Sequence, residues 1–154
     1  NKIQSITGGL GYLLGDEGSG YFFGKMIISL LLKKQLDEET EKSLFLLFGD
    51  QNQIIEKVYG EQGKAFVGSI SKLTNELKQT NSVIMNLHKE NLTLFISNYL
   101  PKTSIKKDIM IVGSYGYYNR EVLTEILPKF NYNLTRIIQY PIISLTDYVS
   151  KSTF

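Results

Sequence analysis

Glycine is concentrated near the start of the chain, and this segment constrains the fold more than any other. Six of the thirteen glycines lie between Gly8 and Gly20, in the string TGGLGYLLGDEGSG; we call residues 8–20 the glycine loop. Glycine adopts positive φ angles and lets a ligand approach the main chain. Because ordering so many glycines costs conformational entropy, the segment is expected to form a turn around a bound group.

The glycine loop leads directly into an apolar helical pattern, YFFGKMIISLLLKK. The pattern predicts a helix over residues 19–35 with Ser19 as its N-cap. Unpaired amides and the positive end of the helix dipole gather at such a terminus. With Asp16 and Glu17 next to it, the terminus suits a polar ligand. The alternative is that the two carboxylates cap the helix. The predicted buried face comprises Phe22, Phe23, Met26, Ile27, Leu30 and Leu31.

The remaining helix-capping and helix-ending residues predict an α/β domain that is rich in helix. Asp37 and Asp50 are expected to cap helices that end at Gly49 and Gly60. The further predicted elements are helices over 64–79, 82–99 and 119–129, a buried parallel strand over 109–112, a β-rich stretch over 134–139 and a short helix near 145–150. Residues 1–154 are expected to form a single domain, since no linker or repeat is recognisable.

Composition excludes several classes of function. The formal net charge of +2 is too small to indicate nucleic-acid binding. The chain has no cysteine, which excludes disulfides and thiolate metal sites and is compatible with a reducing compartment. Its longest apolar run, near residues 26–32, is far shorter than the ~20 residues of a membrane span. We therefore expect a cytoplasmic protein without a membrane or nucleic-acid partner.

Two segments carry a family resemblance. GGLGYLLGDEGSGYFFGK, residues 8–25, resembles the LGDEGSG segment of the N-acetylglucosamine kinase family and of the related BadF/BadG/BcrA/BcrD-type ATPases. IMIVGSYGYYNREVL, residues 109–123, is similar to the strand, loop and helix that lie near the adenosine in that family. The resemblance implies the helix-rich second lobe of the actin-like ATPase (ribonuclease H-like) fold.

The same resemblance implies that another lobe belongs to the functional protein. Family members are about twice as long, and their phosphate loop and catalytic aspartate precede the LGDEGSG segment. Here no aspartate precedes Asp16 and no phosphate loop precedes Gly8. We therefore expect this chain to be the C-terminal lobe of a two-lobe sugar kinase whose N-terminal lobe is absent. No catalytic residue and no metal ligand is assigned to it, and alone it is expected to be inactive.

Site residues carry over from the resemblance position by position. Asp16 is expected to hold sugar hydroxyls, and the implied substrate-binding set is Gly9, Leu10, Gly11, Asp16 and Glu17. The implied nucleotide-binding set is Gly68, Ser69, Gly113 and Ser114. Amino-sugar kinases commonly have tryptophan where this chain has Leu10, which offers no aromatic face for stacking. The match therefore favours a sugar or polyol more strongly than N-acetylglucosamine itself.

The implied reaction is transfer of the γ-phosphoryl group of ATP to a sugar hydroxyl, with an amino sugar such as N-acetylglucosamine as the acceptor. Mg²⁺ would be held mainly by the other lobe, and an isolated lobe could form a homodimer through its cleft surface. Two alternatives remain open. One is an ATPase of the BadF type that activates a partner enzyme, against which the lack of cysteine argues. The other is a non-catalytic sugar- or nucleotide-binding module.

Three other features can each be explained either by structure or by function. Gly68, inside a predicted helix, indicates a close approach either to adenine or to another helix. The tyrosines at 115, 117 and 118 could cover a purine or lie half-buried at the surface. His88 is the only histidine, and a structural or exposed role is expected because no nucleophile or second histidine accompanies it.

Overall fold

The computed structural model describes residues 7–101, 105–142 and 146. The chain has two compact units, and the boundary between them in the sequence lies between Tyr99 and Leu100. The prediction of a single domain stays a prediction.

The first unit is helical throughout its described part. Its helices are α1 (Gly11–Leu14), α2 (Gly20–Leu32), α3 (Glu38–Phe48), α4 (Gln51–Tyr59), α5 (Gly63–Leu73), α6 (Leu77–Thr80) and α7 (Ser82–Tyr99). The core lies around α2, whose Phe23, Ile27 and Leu31 are fully buried. Phe22, Met26 and Leu30 are only half-buried, whereas Gly24 and Ile28 are buried, so the buried face of α2 is rotated by about one residue from the predicted face.

The predicted helix starts are confirmed in atomic detail. The Ser19 side chain accepts a hydrogen bond from the Phe22 amide and begins α2. The Asp37 side chain does the same for α3, and Asp50 forms a full capping box with Gln53 at the start of α4. Each side chain satisfies a backbone donor that the helix itself leaves unpaired.

The predicted helix over 64–79 is divided. Helix α5 ends at Leu73, and a separate turn of helix begins at Leu77. Between them the buried Thr74 hydroxyl donates to the Ile70 carbonyl at 2.9 Å. Such a bond back to the preceding turn competes with continued helix, and threonine's effect here could not be read from apolar periodicity.

Helices α2 and α5 approach closely through glycines of α2. A Cβ on Gly24 would lie 2.0 Å from the Val67 carbonyl oxygen, and one on Gly20 would lie 3.2 Å from the Gly68 carbonyl oxygen. Four-residue spacing puts both glycines on one face of α2. The glycines that permit this approach are those of α2 and not Gly68 of α5, because a Cβ on Gly68 would meet no atom within 4 Å.

The second unit contains a parallel strand pair with helices beside it. Its elements are β1 (Lys107–Val112), α8 (Ser114–Tyr118), α9 (Arg120–Ile126), a 3-10 turn (Leu127–Phe130) and β2 (Tyr132–Ile138). The strands pair in parallel, with a bulge after Ile109. The Thr135 hydroxyl donates to the Ile109 carbonyl at 2.9 Å at this irregularity. Parallel pairing and the position of β2 confirm the predicted α/β character.

Three details of the second unit differ from the prediction. Strand β1 is not buried on both faces: Met110 is 55% exposed, and the described helices cover the face that carries Ile111. Helix α8 was not predicted because its sequence contains Gly116, a residue that disfavours helix. Glycine is nevertheless needed there, since a Cβ would lie 2.6 Å from the Ile111 side chain. The predicted helix over 119–129 ends as α-helix at Ile126. The helix predicted near 145–150 lies outside the described residues, apart from residue 146.

Across the described part of the chain, each helix is either too short or too polar to cross a membrane.

The α2–α5 contact predicts opposite effects for two glycine substitutions. Gly24→Ala should lower the free energy of unfolding by about 1–3 kcal/mol, because the new methyl group clashes with the Val67 backbone. Gly68→Ala, the matched control, meets no atom and should raise it by up to about 1 kcal/mol through helix propensity. Urea unfolding monitored by circular dichroism measures both. Equal effects of the two substitutions would refute this packing.

Candidate functional site

The glycine loop is a compact turn in which several residues have left-handed backbone. Its short helix α1 ends where the Gly15 amide donates to the Gly11 carbonyl at 3.0 Å. This fold brings Leu10 beside Gly15, where a Cβ would lie 3.2 Å from that of Leu10. The residues of the loop with positive φ are Gly8, Gly9, Gly11, Asp16 and Gly18. Backbone conformation therefore favours glycine at four of these five positions, as the sequence predicts.

Asp16 is the exception among them, because it has a side chain. Its φ of 81° lies in the left-handed region, which costs an L-residue roughly 1–2 kcal/mol. Two bonds hold it there: the Ser19 hydroxyl donates to Oδ2 at 2.7 Å, and the Ser19 amide donates to the Asp16 carbonyl at 3.1 Å. The N-cap of α2 is Ser19 and not Asp16, so the simple capping explanation of Asp16 is wrong.

Asp16 is half-buried, so part of the residue is open to solvent. Among the described residues its hydrogen bond uses Oδ2, which leaves Oδ1 able to accept from a ligand. A carboxylate in this position can accept two hydroxyl donors at charge-assisted strength. The geometry is thus compatible with the binding role that the resemblance implies for this residue.

Glu17 has a different environment from its neighbour. The Tyr99 hydroxyl donates to Oε2 at 2.5 Å, and the Asn98 amide donates to Oε1 at 3.4 Å. The hydrogen bond from Tyr99 is the main cause that lowers the pKa of Glu17, with smaller help from Asn98 and the charge of Lys25. Glu17 therefore anchors the loop to the end of α7.

Helix α7 provides the seat for the rest of the glycine loop. The Gly18 amide donates to Oδ1 of Asn91 at 2.7 Å, and Nδ2 of Asn91 donates to the Ser19 carbonyl at 2.9 Å. A Cβ on Gly18 would lie 2.7 Å from Phe95, and one on Gly8 would lie 3.2 Å from the Tyr99 ring. The loop therefore lies directly against one face of α7.

Sequence reasoning missed this face of α7. Its residues are Asn91, Phe95, Asn98 and Tyr99, at the i, i+4, i+7 and i+8 positions of a single stripe. One signal was available: Asn91 is a polar residue on the buried side of a helix, where an amide needs partners. Nothing in the sequence indicated that the partners lie more than seventy residues away, at Gly18 and Ser19.

A second set of contacts fixes the outer part of the loop. The Lys25 ammonium donates to the Tyr12 carbonyl at 3.2 Å. The Lys64 ammonium lies 4.3 Å from the centre of the Tyr12 ring, whose edge meets Tyr21 at 5.2 Å between centroids. Leu10, by contrast, is 61% exposed. The loop thus presents the aliphatic side chain of Leu10 to solvent near Gly15.

The residues implied in nucleotide binding lie in two elements. Gly68 and Ser69 belong to α5 of the first unit, where the Ser69 hydroxyl donates to the Phe66 carbonyl at 2.7 Å. That hydroxyl is engaged within its own helix. The side of Gly68 on which a Cβ would stand is open, so helix packing does not require glycine there.

Gly113 and Ser114 lie in the second unit, between β1 and α8. Gly113 has a φ of 125°, which only glycine adopts readily. Its amide donates to the Ile138 carbonyl at 2.8 Å and continues the parallel pairing. Ser114 is exposed at the start of α8. Here glycine has a structural reason of its own, besides the nucleotide role implied by resemblance.

The tyrosines that follow are surface residues. Tyr117 and Tyr118 are 43% and 48% exposed and meet edge to face at 5.5 Å between ring centroids. The Gln139 amide donates to the Tyr118 hydroxyl at 3.1 Å. Half-buried surface tyrosines are one of the two arrangements expected from the sequence, the other being a stack on a purine.

His88 has a structural position, as expected. It is buried in α7, and its ring stacks on Phe23 at 3.8 Å between centroids. Burial, with a smaller contribution from the charge of Lys78, lowers the pKa of His88 to about 3. The imidazole is therefore neutral at physiological pH and packs as an aromatic core residue.

Comparison with known proteins supports the kinase-like fold. No protein-family profile and no curated protein matches the sequence. Among solved structures, the chain is similar to a candidate N-acetylglucosamine kinase from Porphyromonas gingivalis, with a TM-score of 0.81 and 26% identity. The similarity covers 98% of this chain and 54% of that protein, so the chain spans about half of its length. The fold is that of part of an N-acetylglucosamine kinase-like protein.

The contact between Glu17 and Tyr99 predicts a shift in titration. Tyr99→Phe removes a hydrogen bond that favours the ionised carboxylate, so the pKa of Glu17 should rise toward its ordinary value. The side-chain carboxyl resonance of Glu17, followed by NMR from pH 2 to 7, measures this. Tyr59→Phe is the control, because Tyr59 is 86% exposed. An unchanged Glu17 titration in Tyr99→Phe would show that the bond does not form.

Proposed function

We propose that this chain is the sugar-binding lobe of an ATP-dependent sugar kinase. The observation that carries the proposal is the half-buried Asp16, whose backbone is held in a left-handed conformation in the turn just before α2. The similarity to part of a candidate N-acetylglucosamine kinase supports the same assignment. The actin-like architecture of the complete protein belongs to this proposal.

The proposed role of Asp16 is to bind and orient hydroxyl groups of the acceptor. Sugars present adjacent neutral hydroxyls, and a carboxylate oxygen accepts from them at charge-assisted strength, about 1.5–3 kcal/mol. Gly9 and Gly11 would let the sugar approach the loop, because no atom lies within 4 Å of where their side chains would stand. Fixing the acceptor hydroxyl in line with the phosphoryl group is the main contribution a binding lobe can make.

Glu17 is proposed to act on the loop and not on the sugar. Both of its oxygens accept from α7, through Tyr99 and Asn98. Its carboxylate therefore has fewer free lone pairs than that of Asp16 and serves to hold the loop in place. Of the two adjacent carboxylates, Glu17 would thus support the loop and Asp16 would bind the sugar.

The nucleotide would bind through Gly68, Ser69, Gly113 and Ser114, as the resemblance implies. The open side of Gly68 and the exposed Ser114 are compatible with this. Mg²⁺ is proposed to bind mainly through the other lobe, as the resemblance implies; among the described residues, no three histidine, cysteine or carboxylate side chains are arranged to hold a metal ion. We assign no residue of this chain to Mg²⁺ and place no step of the reaction on it.

Leu10 bears on the class of sugar. It is 61% exposed and lies beside Gly15, so it can contact a ligand through aliphatic surface only. Leucine provides no ring to stack on the apolar face of a pyranose. We propose a hexose or amino-hexose that is recognised chiefly by its hydroxyl groups, with N-acetylglucosamine as the first compound to test.

The direct test is an amide NMR titration of the chain with N-acetylglucosamine, glucose and other hexoses. Shifts confined to residues 8–20 are expected with at least one sugar. Asp16→Asn should weaken that binding about tenfold to a hundredfold, because it replaces a charged acceptor by a neutral one. Asparagine also tolerates left-handed backbone, so the loop conformation should survive the change.

Glu61→Gln is the matched control, since Glu61 is an exposed carboxylate outside the glycine loop. It should leave the affinity unchanged. Equal affinity of Asp16→Asn and the unaltered chain would remove Asp16 from the site. A glycine loop that responds to no sugar would contradict the proposed function.

A further inference from the structure

Asn91 is a residue of α7 whose side chain bonds to two successive residues of the glycine loop. Its side chain is fully buried, yet it lies in the middle of a helix that packs through apolar residues. Both ends of its amide are used, by the Gly18 N–H at 2.7 Å and by the Ser19 carbonyl at 2.9 Å. A buried amide without such partners would be costly, so the side chain and the loop depend on each other.

The bonds of Asn91 fix two successive residues of the loop. An amide that accepts from Gly18 and donates to Ser19 sets both the position and the rotation of this stretch. Phe95, one turn further along α7, touches Gly18 so closely that a Cβ there would lie 2.7 Å away. Residues 18 and 19 therefore have one defined position on the helix.

That position controls Asp16 two residues earlier. Asp16 is held in its left-handed conformation through Ser19, whose hydroxyl and amide both donate to it. Left-handed backbone is unfavourable for aspartate, so the residue relaxes if Ser19 moves. The direction of the Asp16 carboxylate is thus set by a chain of contacts that starts at the buried amide of Asn91.

We infer that Asn91 is a positioning residue for sugar binding: it holds Gly18 and Ser19 so that Asp16 presents its carboxylate to the acceptor hydroxyls. The inference rests on the proposed function, because it assigns Asn91 to the same sugar site. It adds a residue that touches no ligand itself and acts only through Asp16. An asparagine that merely filled the core would affect folding, but not the sugar contact of Asp16 in particular.

The test is a double-mutant cycle on sugar affinity, read by NMR titration with N-acetylglucosamine and the other hexoses. Asn91→Ala should weaken binding about tenfold in the unaltered chain and less than about threefold in the Asp16→Asn background. Asn86→Ala, an exposed asparagine of the same helix, should change neither value. Effects of Asn91→Ala and Asp16→Asn that multiply fully would overturn the inference, since independent residues behave in that way.

Gly18→Ala reaches the same contact without altering α7. Its methyl group would meet Phe95 and oppose a φ of 79°, so it should lift the loop and reproduce the affinity pattern of Asn91→Ala. This variant keeps the test decisive if Asn91→Ala unfolds.

Hydrogen exchange of the Gly18 amide gives a readout that needs no sugar. Asn91→Ala should speed this exchange at least about tenfold, because the amide loses its buried acceptor. Faster exchange with unchanged sugar affinity would overturn the inference alone. Failure of the unaltered chain to bind any sugar would instead overturn the proposed function, and the two failures are therefore distinguishable.

Discussion

The first unit depends on the close packing of helix α2 between its neighbours. Gly24 lets α2 approach α5 so closely that the Val67 carbonyl fills the space of a side chain. Across the helix, Phe23 stacks on the buried ring of His88 in α7 at 3.8 Å between centroids. Because the glycine loop leads straight into α2, these contacts also decide where the loop stands. Core packing and the candidate site therefore share one helix.

Local sequence signals predicted most of the helix boundaries but not the packing between helices. Ser19, Asp37 and Asp50 act through bonds to amides three residues later, so a short stretch of sequence contains the whole interaction. At the break after Leu73 a buried threonine hydroxyl bonds back to the Ile70 carbonyl, and apolar periodicity carries no information on such a bond. The exposed face of β1 at Met110 likewise depends on which helices cover the strand, which a continuous apolar run cannot show.

The candidate site was predictable to a similar extent. The glycine loop and Asp16 were visible because glycines and carboxylates stand close together in sequence. The supporting face of α7 was not, because Asn91 and Tyr99 lie more than seventy residues from the groups they bind. Gly68 shows the opposite limit: its place in the sequence indicated a close approach, whereas the close approach in this region belongs to Gly20 and Gly24 of α2. A glycine in a helix thus indicates that another element packs closely in its neighbourhood. It does not show which of the two helices carries the glycines at the contact.

The two adjacent acids of the loop show how environment separates chemical roles. Each carboxylate oxygen of Glu17 accepts one hydrogen bond, from Tyr99 or from Asn98, and these bonds lower the pKa of Glu17 and stabilise its ionised form. Asp16 bears backbone strain, and Ser19 engages only one oxygen of its carboxylate. Because the surrounding contacts already hold the strained backbone of Asp16 in one conformation, the loop needs little further ordering when a ligand binds. A flexible glycine-rich segment would lose this advantage without the rigid helix behind it. The many glycines are therefore compatible with precise binding because α7 removes the freedom that they introduce.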